Sequence, residues 1–498
     1  MTLSIVDPSA VAVPVYPVDA TTWPKVRPRL SPCASEFAHA NDFTPAAGRH
    51  LLLPGPDGKP EAVVFGLGSN PDPFLAGKLA TVLPPGVYSF AKGFADEQLA
   101  ALAFLLGSYR FTQYREGPAS VPQLSFDRGI DKSRLERVVS AISFGRNLVN
   151  TPANDLGPVA LAKAMVDLAS VHKASVETIV GDDLLTRNFP LIHAVGRAGH
   201  EAPRLVDMRW TGDPQGPAIT LVGKGVTFDT GGLDIKPPAG MLIMKKDMGG
   251  AATALALATM IMDEGLPVRL RVLIPIVENA IAGGSFRPGD VIRSRKGLSV
   301  EIGNTDAEGR LILADALAYA DEEETDLLID FATLTGAARV ALGPDLAAFY
   351  STDDALAQDI ATQSVASHDP AWRLPLWAPY DPMLDSRIAD LNNVAASPFA
   401  GSIVAALFLQ RFVTRAKSWT HFDLFSWTPS AKPGRPEGGD VHAARMLYDL
   451  LRGRFPLRRS AAKQGRKTAG AGKASASKTA KSAKPASRSK PARAKAAS

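Results

Sequence analysis

The chain has 498 residues, of which 46% are apolar and 21% are charged, and its formal net charge is +5. This length predicts about three structural units, and the composition is typical of a globular protein. A single cysteine, Cys33, excludes an internal disulfide framework and a cysteine-based zinc site. The sequence shows neither a signal-peptide pattern nor an apolar run long enough to span a bilayer, so we expect a cytoplasmic protein without a membrane partner.

Residues 1–128 are predicted to form the smaller of two α/β domains. Strand-like apolar runs such as residues 62–68 alternate there with helix-like runs such as residues 97–107, with frequent proline and glycine between them. Gly66 and Gly68 could contact a phosphate, but glycines after a strand more often form only a turn. We therefore interpret this segment as a turn.

A linker region over residues 129–155 contains a predicted helix. Ser133 and Glu136 have the spacing of a capping box that would start this helix. Its apolar residues recur at helical spacing, at Leu135, Val138, Val139 and Ile142. Pro158 suits the first turn of the next helix, at the start of a larger domain over residues 156–457.

The larger domain contains a first cluster of charged residues after a β-branched run at residues 218–222. A glycine-rich loop follows this run, and an apolar helix predicted to reach about residue 262 comes next. The charged residues are Lys224, Asp229, Lys236 and Asp247. A phosphate loop needs serine or threonine after its lysine, whereas Gly225 follows Lys224, so a phosphate site is disfavoured.

A second cluster lies in the octet Asn304-Thr305-Asp306-Ala307-Glu308-Gly309-Arg310-Leu311. The octet separates a predicted short strand at residues 298–302 from a predicted buried helix at residues 311–320. Its acidic residues could simply cap the helix, but capping explains neither Arg310 nor the first cluster. We therefore expect Asp306 and Glu308 at the carboxyl end of a strand beside the first cluster, where open α/β sheets bind ligands.

The two clusters together contain four carboxylates, which cannot lie close together unpaired because like charges favour protonation. Two divalent cations would neutralise them, and oxygen ligands suit such ions. A lysine beside cations can lose its proton, so either Lys224 or Lys236 could be a ligand while the other acts as an electrophile. A water shared by two cations becomes acidic enough to supply hydroxide. The chain has no His-Glu-x-x-His motif, which excludes the usual zincin arrangement.

Both clusters resemble the signatures of the leucyl aminopeptidase family of dinuclear metallopeptidases, and the octet matches its signature in full. The resemblance covers roughly residues 134–450. Further matching segments are residues 150–154, 287–290, 333–337 and 419–423. It implies a divergent, macro-like amino-terminal α/β domain, a linker helix, and a catalytic α/β domain whose central mixed sheet is flanked by helices.

The resemblance also implies a role for each predicted metal ligand. Asp229 and Glu308 would bridge two divalent ions, and Asp306 would complete one of the two sites. Lys224 and Asp247 would complete the other site. Manganese and zinc are the expected ions, although oxygen ligands with one amine suit Zn²⁺, Mn²⁺ or Mg²⁺ by different margins and the sequence does not say which ions occupy the sites.

Lys236 and Arg310 would be the catalytic pair by the same resemblance. Lys236 would polarise the scissile carbonyl for attack by the hydroxide between the metals, and Arg310 would hold a bicarbonate ion as general base. The free α-amine of the substrate would bind one metal, which would make the protein an exopeptidase that releases amino-terminal residues from peptides. The resemblance further implies a homo-hexamer with the smaller domains outermost.

Four more residues match the substrate pocket of that family, namely Met244, Asn304, Thr333 and Gly336. Because methionine is apolar and adaptable, Met244 predicts a preference for Leu- or Met-like amino-terminal residues. The alternative interpretation is that Met244 is an ordinary core residue.

Residues 458–498 contain thirteen basic residues and neither acidic nor aromatic ones, whereas the preceding residues have 42 basic and 50 acidic side chains, a net charge of −8. We expect this tail to be disordered. It could bind nucleic acid or another polyanion without sequence specificity, or serve only solubility or assembly. A nucleic-acid-associated protein with the enzymatic body as scaffold is thus an alternative function, and a dinuclear hydrolase of other amides or esters is a third.

Overall fold

The computed structural model describes residues 5–7, 11–126 and 129–457. The described residues up to Leu457 form one unit built on two large sheets. This arrangement confirms the predicted two-domain α/β fold, while the boundaries between the predicted units stay predictions. The tail over residues 458–498 lies outside the described residues, so its predicted disorder also stays a prediction.

The amino-terminal domain is built on a six-stranded sheet. In spatial order its strands are Ile5–Val6, Pro122–Ser125, Gly86–Phe90, Val13–Val18, Pro60–Gly66 and His50–Pro54. Its helices are Trp23–Val26, Pro32–Ala40, Leu79–Val82 and Glu97–Gly107, with 3-10 turns at Arg27–Arg29 and Leu75–Lys78. Gly68 has φ +73°, and a Cβ there would lie 2.9 Å from Cβ of Ala47. This close packing on another loop supports the interpretation of the segment as a turn.

The larger domain is built on a nine-stranded mixed sheet. Eight strands follow one another in the spatial order Ala371–Arg373, Ala347–Ser351, Trp419–Asp423, Leu327–Ala332, Ala218–Gly223, Arg269–Asn279, Arg204–Thr211 and Ser175–Val180. The ninth strand, Gly225–Asp229, pairs in parallel with the end of Arg269–Asn279. The strands Leu327–Ala332, Ala218–Gly223 and Arg269–Asn279 at the centre run parallel to one another and are buried along almost their whole length, which explains their largely apolar sequences.

Helices cover both faces of this sheet. They are Lys132–Asn150, Pro158–His172, Asp183–Thr186, Pro190–Gly196, Pro238–Met241, Gly249–Glu264, Glu308–Asp321, Gly336–Leu342, Asp354–Ala366, Gly401–Gln410 and Ala444–Arg454, with 3-10 turns at Met244–Met248 and Ala378–Leu384. One apolar core lies beneath Gly249–Glu264 and continues through the linker helix into the amino-terminal domain. A second core lies on the other face, beneath Glu308–Asp321.

The linker helix forms, but the predicted capping box is wrong. The helix spans Lys132–Asn150, and its N-cap is Asp131, whose side chain accepts a hydrogen bond from the backbone N–H of Arg134 at 3.0 Å. The helix thus starts two residues earlier than the capping box predicts, because the side chain of Asp131 caps the free N–H of Arg134. Ser133 therefore lies inside the first turn. Pro158 does begin the following helix, as predicted.

The strand before the octet does not belong to the central sheet, contrary to expectation. Ser299–Glu301 pairs with Val291–Arg293 and Leu391–Asn392 in a separate three-stranded sheet. A further two-stranded ribbon joins Trp427–Thr428 and Gly438–Gly439. The octet reaches the first cluster because the chain turns from this small sheet into the helix Glu308–Asp321.

A buried guanidinium links the linker helix to both domains. Arg146 donates to the carbonyl oxygens of Leu106 at 3.0 Å and Gly434 at 3.3 Å, and its Nε lies 3.2 Å from Oδ1 of Asp440. Burial alone would raise the pKa of Asp440, but Arg146 outweighs this effect and the pKa is lowered. The ion pair therefore stays charged inside the protein and fixes the amino-terminal domain against the catalytic domain.

Candidate metal centre

The structure brings the two charged clusters together beside the central sheet. Lys224 connects the strands Ala218–Gly223 and Gly225–Asp229, and Asp229 is the last residue of the second strand. Glu308 is the first residue of its helix. Carboxylate oxygens of Asp229, Asp306 and Glu308 all lie within 4.8 Å of one another. Segments far apart in sequence thus form one compact group of acids.

Lys224 lies in the middle of this group and is 3% exposed. Its Nζ lies 2.7 Å from Oδ2 of Asp247 and 2.8 Å from Oε1 of Glu308, and it donates to the carbonyl oxygen of Thr333 at 2.9 Å. Burial would lower the pKa of Lys224, but these carboxylates outweigh burial and raise it. Without bound cations, Lys224 is therefore an ammonium that neutralises the acids.

Lys236 contacts the other side of the group and is more accessible than Lys224. Its Nζ lies 2.7 Å from Oδ2 of Asp229 and also pairs with Asp306. Burial opposes its charge, yet Asp229 and Glu308 raise the pKa of Lys236. The structure thus separates the two lysines that the sequence left interchangeable, with Lys224 enclosed and Lys236 at the open side.

Glu308 provides the test of whether these residues fit metal ions. Its side chain is 1% exposed, its Oε1 meets the ammonium of Lys224 at 2.8 Å, and its Oε2 has neither a hydrogen-bond nor an ion-pair partner within the described part of the chain. Burial and the charge of Asp229 raise the pKa of Glu308 to about 8. For Asp306 the same two causes raise the pKa to about 6. A buried carboxylate oxygen that lacks a donor fits a divalent cation, which neutralises the carboxylate without supplying hydrogen.

Asp229 is held in place by Asn279, a residue that sequence reasoning missed. Nδ2 of Asn279 donates to Oδ1 of Asp229 at 2.8 Å and to the carbonyl oxygen of Thr305 at 3.1 Å. The backbone N–H of Gly231 donates to the same Oδ1 at 2.8 Å. Oδ2 of Asp229 is thereby directed into the acidic group. The sequence offered one signal for this role, because Asn279 is a polar residue at the end of the long apolar run that forms the strand Arg269–Asn279.

Arg310 lies at the edge of the group and is almost fully buried. Its guanidinium donates to the carbonyl oxygen of Asn393 at 2.6 Å, while its Nε has no hydrogen-bond partner among the described residues. Burial lowers the pKa of Arg310 to about 10. Asn393 also binds the backbone of the octet, because its Oδ1 accepts from the N–H of Gly303 at 2.7 Å. No pattern in the sequence marked Asn393.

Two predicted pocket residues, Thr333 and Asn304, form hydrogen bonds with members of the acidic group. Thr333 accepts from Lys224 through its carbonyl oxygen, and its hydroxyl donates to Oδ1 of Asp247 at 2.7 Å. Oδ1 of Asn304 accepts from the backbone N–H of Asp306 at 2.7 Å, so Asn304 orients the octet. These contacts show structural tasks for both residues, whereas their contact with substrate stays a prediction.

The other two predicted pocket residues are Met244 and Gly336. Met244 is half-buried at the start of the 3-10 turn Met244–Met248, which ends just before a helix. Gly336 is exposed, and a Cβ there would meet no atom within 4 Å, so open space faces it. This open space fits a pocket wall, and neither arrangement shows what would bind there.

Gly309 explains why the octet contains glycine. A Cβ at this position would lie 2.6 Å from Cε and 2.7 Å from Nζ of Lys224. The absence of a side chain lets the lysine pass the first turn of the helix and reach Glu308. Glycine is therefore required by close approach at this position.

Asp423 supports the loop that carries Thr333, and sequence reasoning gave it no task beyond the matching segment. Oδ1 of Asp423 accepts from the backbone N–H groups of Leu334 and Thr335, both at 3.1 Å. Its Oδ2 accepts from the hydroxyls of Thr335 at 2.6 Å and Ser402 at 3.0 Å. The loop is thus fixed from behind by a buried carboxylate.

Comparisons with known proteins agree with this geometry. The catalytic-domain model of the cytosol aminopeptidase family matches residues 143–448, and the model of the M17 aminopeptidase amino-terminal domain matches residues 13–126. Peptidase B of Photorhabdus laumondii is 43% identical over 330 residues, which are 64% of this chain and 77% of the relative. A probable cytosol aminopeptidase of Geotalea uraniireducens is 35% identical over 422 residues, covering 78% of this chain and 85% of the relative.

Solved structures give the same result. A cytosol aminopeptidase from Coxiella burnetii superposes with a TM-score of 0.87 at 44% identity and covers 91% of this chain and 99% of its own. The bottromycin maturation enzyme BotP in complex with Mn superposes with a TM-score of 0.80 at 32% identity and covers 90% of this chain and 100% of its own. The similarity thus includes the amino-terminal domain, where sequence motifs alone were uninformative. The chain therefore belongs to the cytosol aminopeptidase family and is a metal-dependent aminopeptidase, a hydrolase acting at the amino terminus of peptides.

Proposed function

We propose that two divalent ions bind in the acidic group and that the protein releases amino-terminal residues from peptides there. Asp229 and Glu308 would serve both ions, Asp306 one of them, and Lys224 with Asp247 the other. The observation that carries this proposal is Glu308, an almost fully buried carboxylate whose Oε2 has no partner and whose Oε1 meets only the ammonium of Lys224 among the described residues. Lys224 reaches the same carboxylate, so an amine ligand is already within the group.

Manganese or zinc is proposed as the ion, in keeping with the Mn bound by BotP. When bound, two such ions would acidify a shared water and polarise the substrate carbonyl. The protein would supply a hydrogen-bond donor to the oxyanion that develops in the reaction. Lys236 suits this task because its ammonium lies at the accessible side of the acidic group. Arg310 would hold bicarbonate, because a buried guanidinium with a free Nε–H can bind a planar oxyanion. Arg310 would thereby place a general base beside the acidic group.

For the residue that is released, we propose a Leu- or Met-like side chain. Met244 supports this preference because its half-buried thioether is apolar and adaptable. The open space beside Gly336 leaves room for an unbranched or γ-branched side chain.

Removal of metal tests the function directly. Chelation should lower hydrolysis of leucine p-nitroanilide by at least about a thousandfold, because the ions supply several kcal/mol of the catalytic effect. Readdition of Mn²⁺ or Zn²⁺ should restore turnover, and the N-acetylated substrate should stay intact because its free amine is lost. Asp229→Asn should remain inactive after readdition, whereas Asp167→Asn on an exposed helix face should behave as wild type.

Two outcomes would contradict the proposal. Equal cleavage of the acetylated substrate would show a hydrolase of other amides. A fully metallated protein that is inactive on every amino-terminal residue would refute the peptidase function.

Replacement of the two lysines separates their tasks. Lys236→Met should lower kcat by roughly a hundredfold to a thousandfold, the usual effect of losing one oxyanion donor. It should leave two metal ions per subunit in elemental analysis, whereas Lys224→Met should lose metal because a ligand is gone. The exposed Lys59→Met is the matched control. Loss of metal from the Lys236 variant would make Lys236 the ligand and contradict this assignment.

We propose that the tail is an accessory segment that binds polyanions without sequence preference. A chain ending at Leu457 should keep its turnover of leucine p-nitroanilide, because all proposed site residues precede that point. It should also pass through heparin at low salt, since its net charge is −8, whereas the full chain should be retained and elute as salt rises. If truncation abolished turnover, the tail would be part of the enzyme. If only polyanion binding were found in the full chain, the scaffold function would be correct.

We also propose a cytoplasmic homo-hexamer. Exposed Trp372 and Trp377 support assembly, because large apolar side chains on a surface are commonly covered by another subunit. Sedimentation equilibrium should give six times the chain mass of 52.6 kDa. A monomeric mass at micromolar concentration would contradict the assembly. Cell fractionation would test the location, which the single free Cys33 fits.

A further inference from the structure

A small cavity lies where the amino-terminal domain, the linker helix and the catalytic domain meet. Its volume is about 10 Å³, which leaves space for a single water molecule or an ion of similar size. Apolar side chains form part of its wall, and charged side chains form the rest. The charged residues that line it are Arg146, Arg435, Arg445, Asp369 and Asp440.

Positive charge exceeds negative charge in the lining of this cavity. Arg146 is paired with Asp440, whose Oδ1 lies 3.2 Å from Nε of the arginine. Arg445 has a more distant partner in Asp369, whose Oδ1 lies 3.6 Å from Nη2 of the arginine. Arg435 has no ion pair within the described residues, and its guanidinium donates there only to a backbone carbonyl oxygen at 3.2 Å. Three guanidiniums thus face two carboxylates, which leaves one positive charge in excess.

The cations around the cavity are largely removed from water. Arg146 is 2% exposed and Arg445 is 5% exposed. Burial lowers the pKa of Arg445, and the nearby charge of Arg435 lowers it further against the opposing effect of Asp369. Asp72 does not line the cavity and pairs with a nearby imidazole at 3.0 Å. Because uncompensated charge is costly inside a protein, a water molecule in the cavity would hydrate the excess charge without neutralising it.

A tight turn of the catalytic domain brings Arg435 to the cavity. Lys432 and Arg435 close this turn through two backbone hydrogen bonds of 2.8 and 2.9 Å. Gly434 within the turn has φ +70°, and a Cβ there would lie 2.5 Å from Cδ1 of Phe74 in the amino-terminal domain. Cζ of Arg445 lies 5.0 Å from the ring centre of the same phenylalanine. The fold thus holds the backbone next to Arg435 and the side chain of Arg445 against one ring. Their described contacts use only part of the five N–H donors that each guanidinium has.

We propose that this cavity binds a single halide ion, such as chloride, which joins the amino-terminal domain to the catalytic domain. One monovalent anion balances the excess charge, and the cavity is too small for phosphate, sulfate or a carboxylate ligand. A guanidinium is weakly hydrated and therefore suits a weakly hydrated anion. The inference is independent of the proposed peptidase function, because none of the proposed metal ligands lines the cavity.

Thermal unfolding with two anions tests the site in the metal-loaded full chain. Tm is measured in sodium chloride and in sodium gluconate at equal ionic strength, since gluconate is too large to enter. The change in Tm on going from gluconate to chloride should be about 2 °C more favourable in wild type than in Arg435→Gln, because an anion that binds only the folded state stabilises it. Arg435→Lys, which keeps the charge, should retain most of this advantage. Arg387→Gln removes an exposed arginine elsewhere and should respond as wild type. All variants have the same basic tail, so any response of the tail cancels.

Crystals grown in sodium bromide locate the ion directly, because bromide scatters anomalously. An anomalous peak should lie in the cavity of the wild-type protein and be absent from Arg435→Gln. A wild-type cavity without this peak would overturn the proposal, and so would an equal response of wild type and folded Arg435→Gln to chloride. The melting curve of Arg435→Gln in gluconate shows whether this variant is folded. If it is not, the bromide peak in wild type and the response of Arg435→Lys decide the outcome.

Discussion

The need to neutralise buried carboxylates governs the catalytic half of this protein. Asp229, Asp247 and Glu308 are almost fully removed from water; Asp229 lies near Glu308, and Lys224 contacts both Glu308 and Asp247. Acids in such a place either take up protons or pair with cations, and the pKa of Glu308 rises to about 8 for this reason. Lys224 and Lys236 supply positive charge from within the chain. The same need makes the group a good site for divalent ions.

The backbone is built so that these charges meet with little freedom to rearrange. Gly309 allows Lys224 to pass the helix that starts at Glu308. Asn279 fixes Asp229, and Asn393 fixes the octet. Carboxylates held by amides in this way are positioned before any ion binds, which would favour tight binding and a defined geometry if they serve as ligands, as we propose. These supports surround the acids on more than one side, so the site depends on several elements of the fold.

Outside the acidic group, two positively charged side chains contact one aromatic ring. Lys246 and Arg339 share the ring of Phe425 and have no acidic partner within the described chain. Both lie on segments that the central sheet and the loop held by Asp423 place in order. Arg146 joins this body to the amino-terminal domain through another buried ion pair.

The sequence by itself determined the chemistry, because the octet and the first cluster contain metal-ligand residue types at local spacings that survive folding. It also determined the α/β class through the periodicity of apolar residues. Tertiary structure alone decided that the strand before the octet joins a separate small sheet, and that Lys224 is enclosed while Lys236 stays accessible. It also decided the task of Asn393, because the residues that Asn393 contacts lie far away in the chain and no local pattern marks them.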